Sequence, residues 1–363
     1  MRPSYAFRLR GPTLVAAVLP LLLVSRPGAG QERDRELPRG ISIGDSRGVS
    51  GLRINFRDTR LERVDGVNIT LWSPKEGGEG DITGIALGLP ATGGRNITGL
   101  TIGAFGAGAT GRMKGIGVGG LGVGSGGDLE GIFLGGLGAG TGGSVRGIAI
   151  GGLGVGAGGN IEGAALGLLG AGAGGNARGL FVGGLGAGVG GNGRGLFIGG
   201  LGAGVGGNLT GIALSGLGTG AGGNLRGLAL SLGGIGAGGN LTGIAVAGLG
   251  IGAGGSINRV AVAGLGIGSP RISGIAAAGL GVGGHELRGL MASAGTVRVV
   301  DGGSLRGVGI SSFNYIQGHQ RGLTIGLVNY ARTLHGVQLG VLNIAKGNPA
   351  GRRVLPLINW GSR

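Results

Sequence analysis

The chain has 363 residues, no Cys and a formal net charge of +16, and 103 of its residues are Gly, a Gly share far above the roughly 7% of ordinary proteins. A chain without Cys has no disulfides, no zinc-thiolate site and no lipid-anchored Cys. Disorder goes with low hydrophobicity, whereas 41% of this chain is hydrophobic and its apolar residues recur at fixed spacing.

In chain order, residues 1–30 come first. Arg2, Arg8 and Arg10 precede an apolar core, Leu14–Val24, and Pro27–Gly30 supplies small residues after it. The pattern predicts a secretory signal peptide cut near Gly30. An uncleaved anchor is the alternative, although the core is shorter than the roughly 20 residues that span a bilayer as a helix. Setting aside Arg2, Arg8, Arg10 and Arg26 lowers the net charge from +16 to +12. Lys occurs only at 75, 114 and 346, so the positive charge is nearly all Arg. A basic exported chain could meet anionic glycolipid, polysaccharide or nucleic acid, while scattered Arg would equally keep an apolar rod in solution.

Residues 31–83 are richer in charge and are expected to form an N-terminal cap with atypical first coils. Val67, Ile69 and Leu71 alternate like a strand, after a polar turn from Arg57 to Asp65.

From 84 to 288 the sequence repeats. Unit starts fall at 84 and 99, then every 16 residues to 243, then at 259 and 274, and the series continues at 289, 307, 322 and 336. All are Gly except Arg259. A typical unit is GIAIGGLGVGAGGNIE, 147–162. Its period-two alternation predicts strands, with Gly151-Gly152 as a corner and Gly158-Gly159-Asn160 as a turn. Helix is excluded because Gly costs about 1 kcal/mol relative to Ala in a helix interior. Near-identical units imply near-identical environments, which parallel stacking provides. The predicted fold is therefore all-β, a two-sided parallel β-solenoid of about 17 coils with 14–18, mostly 16, residues per coil. At about 4.8 Å per coil it would be a rod on the order of 80 Å long.

Within that rod Ile148, Ile150, Leu153, Val155 and Ala157 are expected to face a thin core. Gly154, Gly156 and Gly158 are expected outside, as is the row Phe133, Ala149, Ala165, Phe181, Phe197 and Ala213. Asn160, Asn176, Asn192, Asn208, Asn224 and Asn240 recur at one turn and are expected to form a hydrogen-bonded ladder, as stacked Asn does in cross-β structures. The residue before each unit Gly varies in sign, as in Arg146, Glu162, Arg178, Arg194 and Arg226. The side-chain-free Gly face would allow another sheet close approach.

Residues 289–363 are expected to form irregular repeats and a C-terminal cap. Here GLTIGLVNYARTLH (322–335) and GVQLGVLNIAKGNPA (336–350), with the ending VLPLINWGSR, resemble the repeats and C-terminal signature of a bacterial surface-repeat family first noted in Leptospira. The opening GLRINF and VDGVNITLW, within 51–72, is similar to that family's first unit. The central units depart from it, carrying Gly-Leu-Gly in place of the Val-Asn pair. The resemblance implies an exported, surface-associated protein of unsettled function, with no catalytic residues to carry over.

Other motifs are weak. G-x-G-x-x-G matches are expected by chance in so Gly-rich a chain, and none opens a helical pattern. Calcium-binding β-rolls need an Asp in each repeat, and only Asp128 falls at a comparable turn. His319 and His335 sit in neighbouring turns, but no acidic or thiol partner recurs beside them. Asp128, Glu130 and Glu162 read as exposed charge rather than as acid/base pairs. N-x-T occurs at Asn68, Asn96, Asn208 and Asn240, where a turn role suffices. Nucleic-acid binding would want basic patches with stacking aromatics, and only 3% of residues are aromatic. The sequence thus points to no enzyme, no cofactor and no metal. It points to an exported surface or outer-membrane protein of structural or interaction role, periplasmic and extracellular locations included. Cell-envelope components or self-association are the partners that fit, and no specific nucleic acid is expected. An outer-membrane β-barrel, and ice or crystal-surface binding, are the alternatives.

Overall fold

A computed structural model describes residues 37–75 and 79–362. The segment carrying the signal-peptide expectation lies outside the described residues. The fold is that of the compact unit Pro38–Arg363. It is all-β, about 71% strand, a parallel β-solenoid of about 18 coils at a spacing near 16 residues.

Each regular coil contributes one long and one short strand. In the unit quoted above these are Val145–Gly151 and Gly154–Ala157. Each pairs in parallel and in register with its counterpart one repeat on, Val145 with Ile161, Gly147 with Gly163 and Val155 with Ala171. The stacking yields one layer of long strands and one of short strands, with the core between them.

The unit glycine is dictated by the ladder. Gly147 has φ +124°, a region open to Gly and costly for other residues. A Cβ there would lie 2.0 Å from the carbonyl oxygen of Gly131 in the preceding coil. The same conformation extends to Gly40, Gly51 and Gly66, earlier members of the column than the sequence repeat shows. Arg259 takes the position with φ 91°, and nothing in the structure explains Arg there.

The core differs from expectation in one respect. Val145, Ala149 and Gly151 face inward from the long strand, while Ile148 and Ile150 face out. Phe133, Phe181 and Phe197 are fully buried, along with Ala149, Ala165 and Ala213. The row expected outside is therefore the inner row. The physical reason is the corner at Gly151, where a Cβ would lie 2.0 Å from the carbonyl oxygen of Gly154. That inward column holds only Gly, Ser and Ala in the regular coils, as at Ser215, Ser231 and Ala247, so the larger Ile150 beside it points out. Leu153, at the following turn, is exposed as well, while Val155 and Ala157 are inward as expected. The first strands repeat the correction: Val64, Asn68 and Thr70 are inward, not Val67 and Ile69.

Core volumes are matched coil by coil, as close packing requires. Phe181 and Phe197 stack at 5.0 Å, and the neighbouring inner positions of their coils are Ala177 and Gly193. A Cβ on Gly193 would lie 2.8 Å from the Phe197 ring. Where the inner residue is Ala, as at Ala165 or Ala213, the companion is Ile161 or Leu209. Leu129 and Phe133 are both large, and the space comes from Gly117 in the preceding coil.

The two ends depart from this scheme. Strands Gly281–Ser293, Thr296–Ile310, Phe313–Ile325 and Val328–Ala345 run through both layers, with register irregularities between the halves. The ending Val354–Ser362 folds back antiparallel on Val328–Ala345 and pairs the last ladder edge. An unpaired edge is a template for aggregation, so this strand is a cap.

Candidate functional site

Outward side chains of the long strand and its following turn form three apolar columns. Ile116, Ile132, Ile148, Ile212 and Ile244 lie in the first. Leu134, Ile150, Leu230 and Val246 lie in the second. Leu121, Leu137, Leu153, Leu169, Leu185 and Leu201 lie in the third, at the turn, each 48–51% exposed. The turn leucines are held in step by backbone hydrogen bonds, such as Leu137 N to Leu121 O at 2.6 Å and Leu153 N to Leu137 O at 2.6 Å. One break occurs where Gly233 stands in place of Leu and Leu232 is displaced beside it. From Leu89 to Leu280 the face is about 60 Å long and about 15 Å wide, on the order of 1,000 Å², from the ladder spacing and the strand rise. Monomeric proteins rarely expose contiguous apolar patches of more than a few hundred Å², and larger ones mark interaction sites. Sequence analysis missed this face. The signal that would have found it is the bulky set Leu129, Val145, Ile161 and Leu209, which shares parity with Ala149 and not with Ile150.

Two residues before Ile148, across the Gly147 column, runs a cationic border. Lys114, Glu130, Arg146, Glu162, Arg178 and Arg194 follow one another in register. Glu130 lies between Lys114, at 3.7 Å, and Arg146, at 3.3 Å. Arg178 and Arg194 are ladder neighbours and have no ion-pair partner among the described residues. Further along, Arg288, Arg306 and Arg321 are consecutive neighbours, of which Arg288 meets Glu286 at 3.2 Å. Arg306, Arg321, Glu286 and His319 line a shallow polar recess.

The opposite layer is bare. Gly154 and Gly156 face outward from the short strand. A Cβ on Gly156 would meet nothing within 4 Å, and one on Gly154 would make only ordinary contact at 3.4 Å.

The Asn turn lies at the surface. Asn160 Oδ1 accepts the backbone N–H of Asn176 at 2.7 Å and its side-chain amide at 3.4 Å. The pattern repeats through Asn192, Asn208 and Asn224 to Asn240, with backbone distances of 2.8–2.9 Å. Asp128 belongs to the same column, its Oδ1 accepting Ser144 N at 2.8 Å. These side chains satisfy turn N–H groups and so fix the coil-to-coil step.

Remaining sequence candidates separate in space. His319 is in register with Thr333, and His335 with Arg321, so the two histidines are not ladder partners. His319 Nδ1 contacts Thr333 Oγ1 at 2.5 Å. Among the described residues no group of three or more His, Asp or Glu is placed to hold a metal. Asn68, taken as a turn residue, is instead buried in the core and accepts a hydrogen bond from Arg53 at 2.9 Å.

That Arg53 is itself fully buried. Its guanidinium contacts Asp58 and lies 3.1 Å from Asp45. Burial pushes the Asp58 carboxyl up, but hydrogen bonds from Thr70, Arg53 and Asn55 and the Arg53 charge outweigh it, leaving Asp58 below the usual carboxylate range. Asp81 is also held low, chiefly by the two hydrogen bonds from Arg95 at 2.8 and 3.1 Å. Both clusters lie in the first coils and anchor the end of the rod.

Comparison with known proteins finds no matching family model, no similar curated protein and no similar solved structure.

Proposed function

We propose that this chain is an exported, non-catalytic structural or interaction protein of the bacterial surface. The observation that carries the reading is the in-register apolar face with its cationic border. A periodic apolar surface of that size is suited to association with an extended partner. The amino-terminal tripartite pattern and the likeness of both ends to the Leptospira surface-repeat family support export and a surface location. The barrel alternative fits less well, because membrane barrels are built from antiparallel strands with girdles of aromatic residues, whereas the ladders here are parallel. Ice binding would want a regular outward row of Thr or similar groups, and the outward columns of the long strand carry Ile, Leu and Val instead.

The test is fractionation of residues 31–363 from the native host, with surface labelling of intact cells. Surface labelling together with release by high salt or alkaline carbonate is the expected result. A chain that stays in the cytoplasm, or one that only detergent extracts, would overturn the reading.

A further inference from the structure

We infer that the Ile/Leu face and its cationic border dock on an anionic lipid surface. The inference rests on the interaction-protein reading and names its partner.

Two independent features of the face converge on that occupant. The first is apolar depth. Ile148, Ile150 and Leu153 project from one strand and its turn, and the set recurs along the ladder with breaks at Ala164, Gly233 and Ala277. Side chains 37–48% exposed on a continuous sheet can enter the boundary between headgroups and acyl chains, as the apolar face of an interfacial helix does. The second is an excess of cations over carboxylates beside it. Arg178 and Arg194 are adjacent in the ladder, as are Arg306 and Arg321, and none of the four has an ion pair among the described residues. Like charges one ladder step apart repel, so the column favours a partner that brings anions in a row. Long Arg side chains at the margin of an apolar face can reach headgroup phosphates while their stems stay on the apolar side.

A second copy of the chain fits the apolar columns but not the border. In a face-to-face pair with the rods antiparallel, the cationic column meets itself. With the rods parallel it meets the Leu153 column. The parallel arrangement supplies no anion, and the antiparallel one supplies only Glu130 and Glu162 to a column in which Lys114, Arg146, Arg178 and Arg194 outnumber them; a guanidinium desolvated without a partner is costly. A lipid surface supplies both a medium for the columns and phosphates for the border.

Flotation with lipid vesicles tests this. The probe protein is residues 31–363, which retains the whole compact unit Pro38–Arg363. Vesicles are phosphatidylcholine alone, or phosphatidylcholine with phosphatidylglycerol. The parent is expected to float with the anionic vesicles and much less with the neutral ones. A Leu137→Ser, Leu153→Ser, Leu169→Ser, Leu185→Ser variant is expected to lose binding at least tenfold. An Arg178→Gln, Arg194→Gln variant should weaken it by about fivefold per cation removed, with circular dichroism unchanged. Should the fourfold variant fail to fold, Leu153→Ser and the Arg pair decide the matter. Equal flotation of parent and variants, equal binding to neutral vesicles, or no flotation overturns the inference. A dimer that the Leu substitutions dissociate, with no vesicle binding, replaces lipid by a second copy. Loss of vesicle binding with surface labelling intact leaves the interaction role standing. Vesicle binding by a chain that stays in the cytoplasm leaves the lipid face and overturns the location.

Discussion

The middle of the rod and its two ends use one backbone coil with opposite interiors. One inner column of the short strand runs through Val123, Ala139, Val155 and Ala171 to Ile251, Ile267, Val282 and Val297. It then continues as Asn314 and Asn329. Those side chains are fully buried, and Asn314 Nδ2 donates to Asn329 Oδ1 at 2.7 Å and Asn329 Nδ2 to Asn343 Oδ1 at 2.8 Å. The inner column of the long strand behaves likewise. It starts at Arg53 and Asn68, passes through Ala and Phe, and finishes at Thr324 and Gln338. In the middle the Asn ladder sits outside, at the turn; near the C-terminus a second one sits inside the core. An end coil has a neighbour on one side only, so burial stabilises it less. Directional bonds that satisfy the corner carbonyls make up part of the difference.

That contrast can be broken most sharply at Arg53. Arg53→Met would leave the buried Asp58 without its cation, while Asp45 keeps Arg60 at 3.5 Å. Breaking one side of a buried charge pair costs about 3–5 kcal/mol, so hydrogen exchange in Gly48–Thr70 should rise well before the central coils respond. Phe181→Ala tests the other interior. Its expected cost is about 3–5 kcal/mol, read as a lower urea midpoint, and little loss would mean the ring is not in the core. Asn329→Ala should cost about 1–3 kcal/mol, because it strands buried polar groups, against roughly 1 kcal/mol or less for Asn192→Ala at the exposed turn. Equal effects at 329 and 192 would erase the distinction between the two ladders. Smallest is a gain: Arg259→Gly relieves a non-Gly residue with positive φ and should stabilise by about 1 kcal/mol.

The ends should also differ from the middle in acid. Asp58 titrates below its usual range in the folded chain, so its contribution to stability is present above the unfolded carboxylate pKa of about 3.9. It is lost as pH falls through the lower folded value. Below about pH 4 the first coils should open while the central coils hold, as hydrogen exchange would report. Simultaneous loss along the whole rod would contradict the assignment.

Much of this was legible in the sequence. Coil length, the corner at Gly151-Gly152, the turn at Gly158-Gly159-Asn160 and the unit glycine all follow from spacing, because each repeats against its own copy. The facing of the long strand was not. Arg146 shares parity with Ile148 and Ile150 and marks that side as water, but the bulk of the two isoleucines against Ala149 and Gly151 points the other way. The inward column at the Gly151 corner accepts only Gly, Ser and Ala in the regular coils, a limit on size that counting bulk along the strand does not display. The inner Asn column was hidden for a different reason. Spacing varies from 289 onward, and only the ladder register shows that Asn314 and Asn329 continue the column of Val282 and Val297. The apolar face, the candidate site itself, was lost with the parity.

The central claim is therefore that Ala149 faces the core and Ile150 the surroundings. The chain has no native Cys, so a single Ala149→Cys or Ile150→Cys variant of residues 31–363 can be followed with a soluble maleimide in native buffer. Cys at 150 is expected to react at the rate of a free thiol, and Cys at 149 only after urea unfolds the rod. Rapid labelling at 149 with protection at 150 would contradict the facing of the long strand, and the apolar face with it.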